Sequence, residues 1–153
     1  MELESETILK SKGISYRLIE LSDKGISFED VVKNAKDEIN PDEICKTIIV
    51  KDKKGNNYAF LLKGNQKIDF SKVKEIIGSK ASIVGYEDLK KATGTEPGAV
   101  CPFLLSMPIY VDKRVFETEK INFGSGDHLF GLEIKTGDLE KVIELKIVDV
   151  AQG

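Results

Sequence analysis

The chain has 153 residues, of which 41% are hydrophobic and 32% are charged, as is typical of one soluble globular domain. A chain of this length buries about 70% of its unfolded surface, so a core can form without disulfides. The formal net charge of −3 excludes a polycation, so a nucleic-acid partner would have to be held by a local basic patch.

Several classes of protein are excluded by simple counts. The chain has two cysteines and one histidine, which are too few for a four-ligand zinc site. No apolar run approaches the length of a membrane helix. Residues 1–6 are acidic, unlike the start of a signal peptide. We therefore expect a cytoplasmic protein that does not enter a membrane.

Apolar spacing and capping residues predict helices that alternate with strands. In chain order, the first elements are a helix over 5–13, a strand over 16–21, a helix over 27–39, a hairpin with strands over 45–51 and 58–63, a helix over 69–77, a short strand at 83–84 and a helix over 86–92. The later elements are a strand over 109–111, a turn or short helix at 113–116, strands over 121–123 and 129–134, a helix over 139–145 and an edge strand over 147–150. Because helices interleave with hairpins, the sheet should be mixed.

The most informative residue is Lys46, which opens a run of mostly β-branched residues at the start of a predicted strand. A lysine at the end of a strand is most often solvated. If its side chain faces a cleft instead, the low dielectric strengthens its attraction for an anion or a carbonyl oxygen. The apolar residues that we expect to form the walls of such a cleft are Ile48, Val50, Leu62 and Phe123.

Two glycine-containing segments further along the chain complete the predicted site. Segment 94–98, Gly-Thr-Glu-Pro-Gly, predicts a type II turn. Glycine permits close approach of the backbone, so amide N–H groups of this loop can point at a developing oxyanion. Segment 124–128, Gly-Ser-Gly-Asp-His, predicts a hairpin loop and matches neither a dinucleotide fingerprint nor a P-loop. We interpret Lys46 and these two loops as one site.

His128 is the single histidine, so any imidazole general base must be this residue. A histidine next to a turn is more often structural. Cys101 follows the proline–glycine loop, and a thiol nucleophile at this position would need His128 as its base. The alternative for Cys101 and Cys45 is a small apolar packing role.

In the order of three motifs, the chain resembles the YbaK/prolyl-tRNA editing domain family, whose members are aminoacyl-tRNA deacylases. The motifs are Lys46-Thr47 on a strand, the Gly94-x-x-Pro97-Gly98 loop, and Asn122-Phe123-Gly124-Ser125-Gly126 before a strand. The resemblance extends from about Ile8 to Leu145. It implies a single compact α/β domain over residues 1–153, with a curved, mixed β-sheet flanked by helices.

The resemblance also implies hydrolysis of the ester between a wrong amino acid and a tRNA, with no metal and no organic cofactor. Lys46 would act near the 3′ end of the tRNA, and the catalytic loop would consist of Gly94, Pro97 and Gly98. The residues implied to contact the substrate are Thr47, Gly124, Ser125, Gly126 and His128. The chain departs from many relatives at residues 22–25, where they carry a histidine or another polar residue, and this leaves the amino-acid specificity open.

The implied partner is the 3′ end of an aminoacyl-tRNA, edited in trans, with a small amino acid such as Ala or Cys on tRNA-Pro or a related tRNA. An aminoacyl-tRNA synthetase is a further candidate partner, whereas DNA and membranes are not expected. Water would be activated by the adjacent hydroxyl of the substrate or by His128. The lysines that are candidates to steer the tRNA are Lys51, Lys53, Lys54, Lys63 and Lys67.

Two alternatives stay open from the sequence. The first is a module of the same fold that binds tRNA or a synthetase and hydrolyses nothing. The second is a thiol hydrolase that uses Cys101 and His128.

Overall fold

The helices and strands of the computed structural model follow the order that the sequence predicts, and the structure describes residues 2–36, 38–95 and 98–153. The helices are α1 (Glu4–Ser11), α2 (Phe28–Asn34), α3 (Phe70–Ile77), α4 (Tyr86–Thr93) and α5 (Leu139–Val142). The strands are β1 (Tyr16–Glu20), β2 (Cys45–Asp52), β3 (Asn57–Lys63), β4 (Ala81–Ile83), β5 (Ile109–Asp112), β6 (Lys120–Gly124), β7 (Phe130–Lys135) and β8 (Leu145–Val148). Within the described residues, no helix has the length and apolar character needed to cross a membrane.

Local capping and a left-handed glycine set the ends of α2, α3 and α4. At the start of α2, the Ser27 hydroxyl accepts a hydrogen bond from the Asp30 amide at 3.2 Å, and the Asp30 carboxylate accepts one from the Ser27 amide. Asp69 caps α3 by accepting from the amide of Ser71 at 2.9 Å. Gly94 has a φ of 75° and ends α4 in the left-handed conformation that favours glycine.

The strands are divided between two sheets. A three-stranded antiparallel sheet has the order β1-β7-β6, and a five-stranded mixed sheet has the order β4-β2-β3-β5-β8. In the larger sheet, β2 is antiparallel to both of its neighbours, whereas β5 is parallel to β3 and β8. The predicted mixed α/β architecture is confirmed, although the strands form two sheets rather than one curved sheet.

The last helix is shorter than the sequence pattern predicts. α5 covers four residues, and the chain becomes extended at Ile143 and enters β8 at Leu145. Thr136 does not cap α5, because its hydroxyl donates to the carbonyl oxygen of Thr118 at 2.6 Å. Leu145 pairs with Ile109 of β5. Parallel pairing with β5 therefore overrides the helical preference of these residues.

Apolar side chains pack on both faces of the five-stranded sheet. Ile49 and Leu61 belong to a cluster that also contains the inward residues of the three-stranded sheet, whereas Val50 and Leu62 pack with Val73 of α3. Successive residues of a strand point to opposite faces, which explains this division. The expectation that Val50 and Leu62 wall a cleft was therefore wrong, since both are fully buried in the cluster under α3.

The two sheets meet where β2 begins and separate beyond it. Ile44 forms an isolated parallel bridge with Asn122 of β6. β4 pairs with β2 only over residues 50–52. Residues 45–49 thus have β3 on one side and, within the described chain, no strand on the other. This free edge of β2 leaves a gap between the sheets.

Candidate functional site

A cavity of about 410 Å³ lies in this gap. Five consecutive residues of β2, 45–49, form one part of its lining. The loop before α2 with the start of that helix, and the segment from the end of β4 into α4, form other parts. The remaining lining residues come from segments that are distant in sequence, namely Ile44, Gly64, Gly98, Val100 and Gly124.

Lys46 lies in this cavity with a half-buried side chain. Its ammonium Nζ donates a hydrogen bond to the carbonyl oxygen of Gly64 at 3.3 Å. Partial burial lowers the pKa of Lys46 from its ordinary value, and the positive charge of Lys67 adds to this effect while Glu29 opposes it. An ammonium group has three N–H donors, so Lys46 can also bind a phosphate or a carbonyl oxygen of a ligand.

Close packing of backbone on backbone brings the two glycine loops to this cavity. Gly98 has a φ of +83°, and a Cβ there would overlap the loop before α2, with Ile26 Cα at 2.7 Å. A Cβ at Gly124 would lie 2.6 Å from the carbonyl carbon of Ala99. Both positions therefore require glycine on steric grounds. Three segments far apart in the sequence share one surface made largely of backbone.

The loop at residues 98–100 carries amide groups that no described residue satisfies. No described group accepts a hydrogen bond from the N–H of Gly98, Ala99 or Val100. Val100 is only 3% exposed and lines the cavity. The carbonyl oxygen of Ala99, by contrast, accepts from the Gly126 amide at 2.7 Å, which fixes the loop. Gly98 is exposed, whereas Ala99 and Val100 are buried. Buried amides are nearly always paired in folded proteins, so the N–H groups of Ala99 and Val100 indicate a place for a ligand oxygen or a water.

Two buried polar side chains beside the loop also lack partners. Within the described chain, Thr47 Oγ1 and Asn122 Nδ2 are buried and form no hydrogen bond. Thr47 lines the cavity, and Asn122 lines a smaller cavity of about 30 Å³ next to it. An unpaired buried polar group costs about 1–3 kcal/mol, so this region suits a polar ligand better than an apolar one.

Other predicted site residues lie beside the cavity rather than in it. Gly94, Ser125 and Gly126 line a separate depression. His128 lines the small cavity, and its carbonyl oxygen accepts a hydrogen bond from the Gly25 amide at 2.9 Å. Pro97 lies outside the described residues. The structure thus brings Lys46, Thr47, Gly98 and Gly124 together, and Gly94, Ser125, Gly126 and His128 lie in the adjoining depressions.

Ser125 holds its loop in place. Its hydroxyl donates to the carbonyl oxygen of Phe130 at 2.7 Å and accepts from the amide of Asp127 at 3.2 Å. The Ser5 hydroxyl of α1 donates to the Ser125 carbonyl oxygen at 2.7 Å. Since Ser125 is 1% exposed and its hydroxyl is engaged within the loop, its contribution in this structure is to position Gly124.

Neither cysteine has the chemistry of a nucleophile. Burial raises the pKa of both Cys45 and Cys101 to about 12, so both thiols are protonated at neutral pH. Cys101 lines the depression that contains Gly94, whereas His128 lines the small cavity. The structure therefore does not support a Cys101–His128 thiol hydrolase, and both cysteines pack within the apolar core.

Sequence reasoning missed several residues of the cavity. Gly64 supplies the carbonyl oxygen that holds Lys46, and a glycine directly after a strand was a usable signal for a tight turn there. Gly25 lies two residues before Ser27, which caps α2, and a glycine in this position was a second usable signal for a tight turn. Val100 and Tyr86 carried no local signal, because only long-range packing brings them to the cavity.

We expect Gly124→Ala to destabilise the protein and Gly131→Ala to be tolerated. The two glycines are paired across β6 and β7, and neither has a left-handed backbone. A Cβ at Gly131 would lie 3.6 Å from Ile19 Cβ, an ordinary contact, whereas a Cβ at Gly124 would overlap the loop that carries Ala99. Urea denaturation should show that Gly124→Ala lowers the free energy of unfolding by about 1–3 kcal/mol. Equal stabilities of the two variants would contradict the packing described.

We expect Lys46→Met to be as stable as the wild type, or more stable by up to about 0.5 kcal/mol, near neutral pH. The folded state disfavours the charged form of Lys46, because burial lowers its pKa below the ordinary 10.5. Between the lowered pKa and 10.5 the unfolded wild type binds more protons, so its stability relative to Lys46→Met rises with pH. Urea denaturation of both proteins over this pH range measures the difference. A variant that is clearly less stable at neutral pH would show that Lys46 forms a stabilising ion pair instead.

Comparison with known proteins identifies the family of this chain. The family model of the aminoacyl-tRNA editing domain matches residues 25–142. Among solved structures, hypothetical protein APE2540 is similar with a TM-score of 0.84 and 23% identity, over 96% of this chain and 98% of that one. A protein described as a candidate trans-editing enzyme for prolyl tRNA synthetase is similar with a TM-score of 0.81 and 18% identity, over 100% of both chains.

At these identities, the solved structures show a shared fold. The family match is more informative, because it covers more than half of the chain and every residue that lines the main cavity. The chain belongs to the aminoacyl-tRNA editing domain family.

Proposed function

We propose that this chain is an aminoacyl-tRNA deacylase that acts in trans, with residues 1–153 as one editing domain. It hydrolyses the ester between a small, wrong amino acid and the 3′ end of a tRNA. The observation that carries the proposal is the combination, in one cavity, of a half-buried ammonium group and a rigid loop whose amides have no described partner. Family membership supports the same reaction.

In this proposal, the amides of residues 98–100 bind the oxyanion that forms when water attacks the ester carbonyl carbon. One such donor, fixed before the reaction, is worth about 3–4 kcal/mol in comparable sites. Close packing of Gly98 on Ile26 and of Gly124 on Ala99 holds the loop rigid. Because the donors are already in place, little reorganisation accompanies the reaction.

Hydrolysis by this route needs no side-chain nucleophile, because water attacks the ester directly. Water adds to the carbonyl carbon and gives one proton to the adjacent ribose hydroxyl of the substrate, which passes its own proton to the ester oxygen of the ribose. The bond from the carbonyl carbon to that oxygen breaks as the oxygen is protonated. The products are a free amino acid and a free tRNA 3′ end. This route uses no metal and no organic cofactor, and it does not require His128 as a base.

Lys46 positions the substrate in this mechanism. Its ammonium, held by the carbonyl oxygen of Gly64, binds a phosphate or the ribose at the 3′ end and so sets the ester against the loop. In this proposal the amino acid that is removed is small, such as Ala or Cys. One methylene group changes binding by only about 1–3 kcal/mol, which is why a separate editing cavity is useful.

The lysines that steer the tRNA differ in their distance from Lys46. Lys67 is close enough for its charge to lower the pKa of Lys46. Lys53, by contrast, follows the far end of β2, roughly 20 Å away at the rise of an extended strand. Lys63 has a weak ion pair with Glu117 at 3.8 Å. Among these lysines, we therefore assign to Lys67 the contact with a tRNA phosphate near the site.

We expect the wild type to deacylate at least one mischarged tRNA in a panel that includes Ala, Cys, Ser and Thr on several tRNAs. Lys46→Ala should lower kcat/KM by about 100-fold or more, because the ester is no longer positioned. Cys101→Ser is the matched control and should retain activity, since its thiol is not part of the proposed chemistry. Steady-state release of labelled amino acid measures all three proteins.

Failure of the wild type across the whole panel, with tRNA binding retained, would contradict the deacylase. It would favour a module that binds tRNA or a synthetase without hydrolysis.

We expect Lys67→Ala to weaken deacylation of the active tRNA and to reduce the steepness of its dependence on salt. Each phosphate contact adds about one unit to the slope of log K against log salt, so the slope should fall by about 1. Lys53→Ala is the control with the same change in charge, and its slope should match that of the wild type. kcat/KM over a salt series gives the slopes, and identical slopes for the two variants would contradict the assignment.

A further inference from the structure

Three of the seven exposed large hydrophobic residues in the described part of the chain line the main cavity. Ile26, Ile83 and Tyr86 are 44%, 55% and 54% exposed, and all three line the cavity. They belong to the loop before α2, to the edge strand β4 and to the first position of α4. Exposed apolar residues are ordinary when they occur singly, whereas a group of them at a cavity indicates a binding surface.

We propose that Ile26, Ile83 and Tyr86 form a platform on which the 3′-terminal base of the tRNA stacks. This inference rests on the proposed function, and it adds to that function a binding site for the nucleobase. The reacting ester is one ribose away from the terminal base. A site that holds the ester against residues 98–100 must therefore place that base within the same cavity or at its edge.

The chemistry of the cavity fits a nucleoside. A nucleotide presents an apolar ring face and an anionic phosphate, and the cavity offers an apolar edge with an aromatic ring together with the ammonium of Lys46. Stacking of a base on an aromatic side chain contributes about 1–3 kcal/mol and tolerates any base.

The size of the cavity favours the same ligand. Its volume of about 410 Å³ lies in the range of pockets that bury drug-sized molecules, and exceeds what a small amino acid requires. A protein partner would need about 800 Å² of surface on each side, far more than three side chains supply.

The fold provides a close control for this platform. Ile83 lies on β4 and Ile147 lies on β8, which are the two edge strands of the same sheet. The two side chains are 55% and 54% exposed. Only Ile83 lines the main cavity. The same truncation at the two positions therefore separates a loss of base contact from a general effect of removing an exposed isoleucine.

The test uses an uncharged RNA hairpin that mimics the tRNA acceptor stem and carries 2-aminopurine as its terminal base. Stacking on the platform should quench the fluorescence of this base. Tyr86→Ala should weaken binding by about 5- to 150-fold and remove most of the quenching, because the ring is lost. Tyr86→Phe should behave as the wild type, because the ring is kept. Ile83→Ala should weaken binding, and Ile147→Ala should not.

Several results would overturn the platform. They are an absence of quenching with the wild type, unchanged binding and quenching in Tyr86→Ala, and equal effects of Ile83→Ala and Ile147→Ala. This experiment requires no hydrolysis, so a negative result would overturn the platform without contradicting the deacylase proposal. Tyr86-dependent quenching by a protein that deacylates no tRNA would support the platform in a binding module. If Tyr86→Ala deacylates tRNA with the kcat/KM of the wild type, the deacylase proposal is supported and the platform proposal is overturned.

Discussion

The candidate site depends on the contact of backbone with backbone at Gly98 and Gly124. These glycines let the loop at residues 98–100 lie directly between the loop before α2 and the end of β6. Any side chain at either position would push these segments apart. The same contact holds Gly98 and Val100 in the lining of the cavity, so one steric constraint determines both the packing and the backbone groups available to a ligand.

A second constraint is electrostatic, and it opposes stability. Lys46 is half-buried at the free edge of β2, and desolvation lowers its pKa. Thr47 Oγ1 is buried beside it without a described partner. Such groups lower the stability of the folded protein. A bound ligand that supplies an anion for Lys46 and a hydrogen bond for Thr47 would offset this cost. The separation of the two sheets leaves room for that ligand.

Local rules predicted much of the fold, because capping and hairpin signals act over a few residues. The start of α2 after Ser27, the extent of α4 before Gly94 and the β2–β3 hairpin agree with the predicted elements. The division into two sheets and the short α5 were not predictable in this way, because they follow from the pairing of strands far apart in the chain.

The candidate site shows the same limit. Its ammonium and its glycines were recognisable as residue types, and the cavity does contain Lys46, Gly98 and Gly124. Which members of each glycine loop reach the cavity was not recognisable. Gly94 and Gly126 line a neighbouring depression instead, because that choice depends on contacts between distant segments.

The most direct test of this account is a titration of ¹⁵N-labelled protein with an adenosine that carries alanine through a non-hydrolysable 3′-amide. The account predicts that the amide resonances of Gly98, Ala99 and Val100 shift strongly on binding, as expected when these N–H groups donate to the carbonyl oxygen of the ligand. Saturable binding that leaves these three resonances unmoved, while others shift, would contradict it.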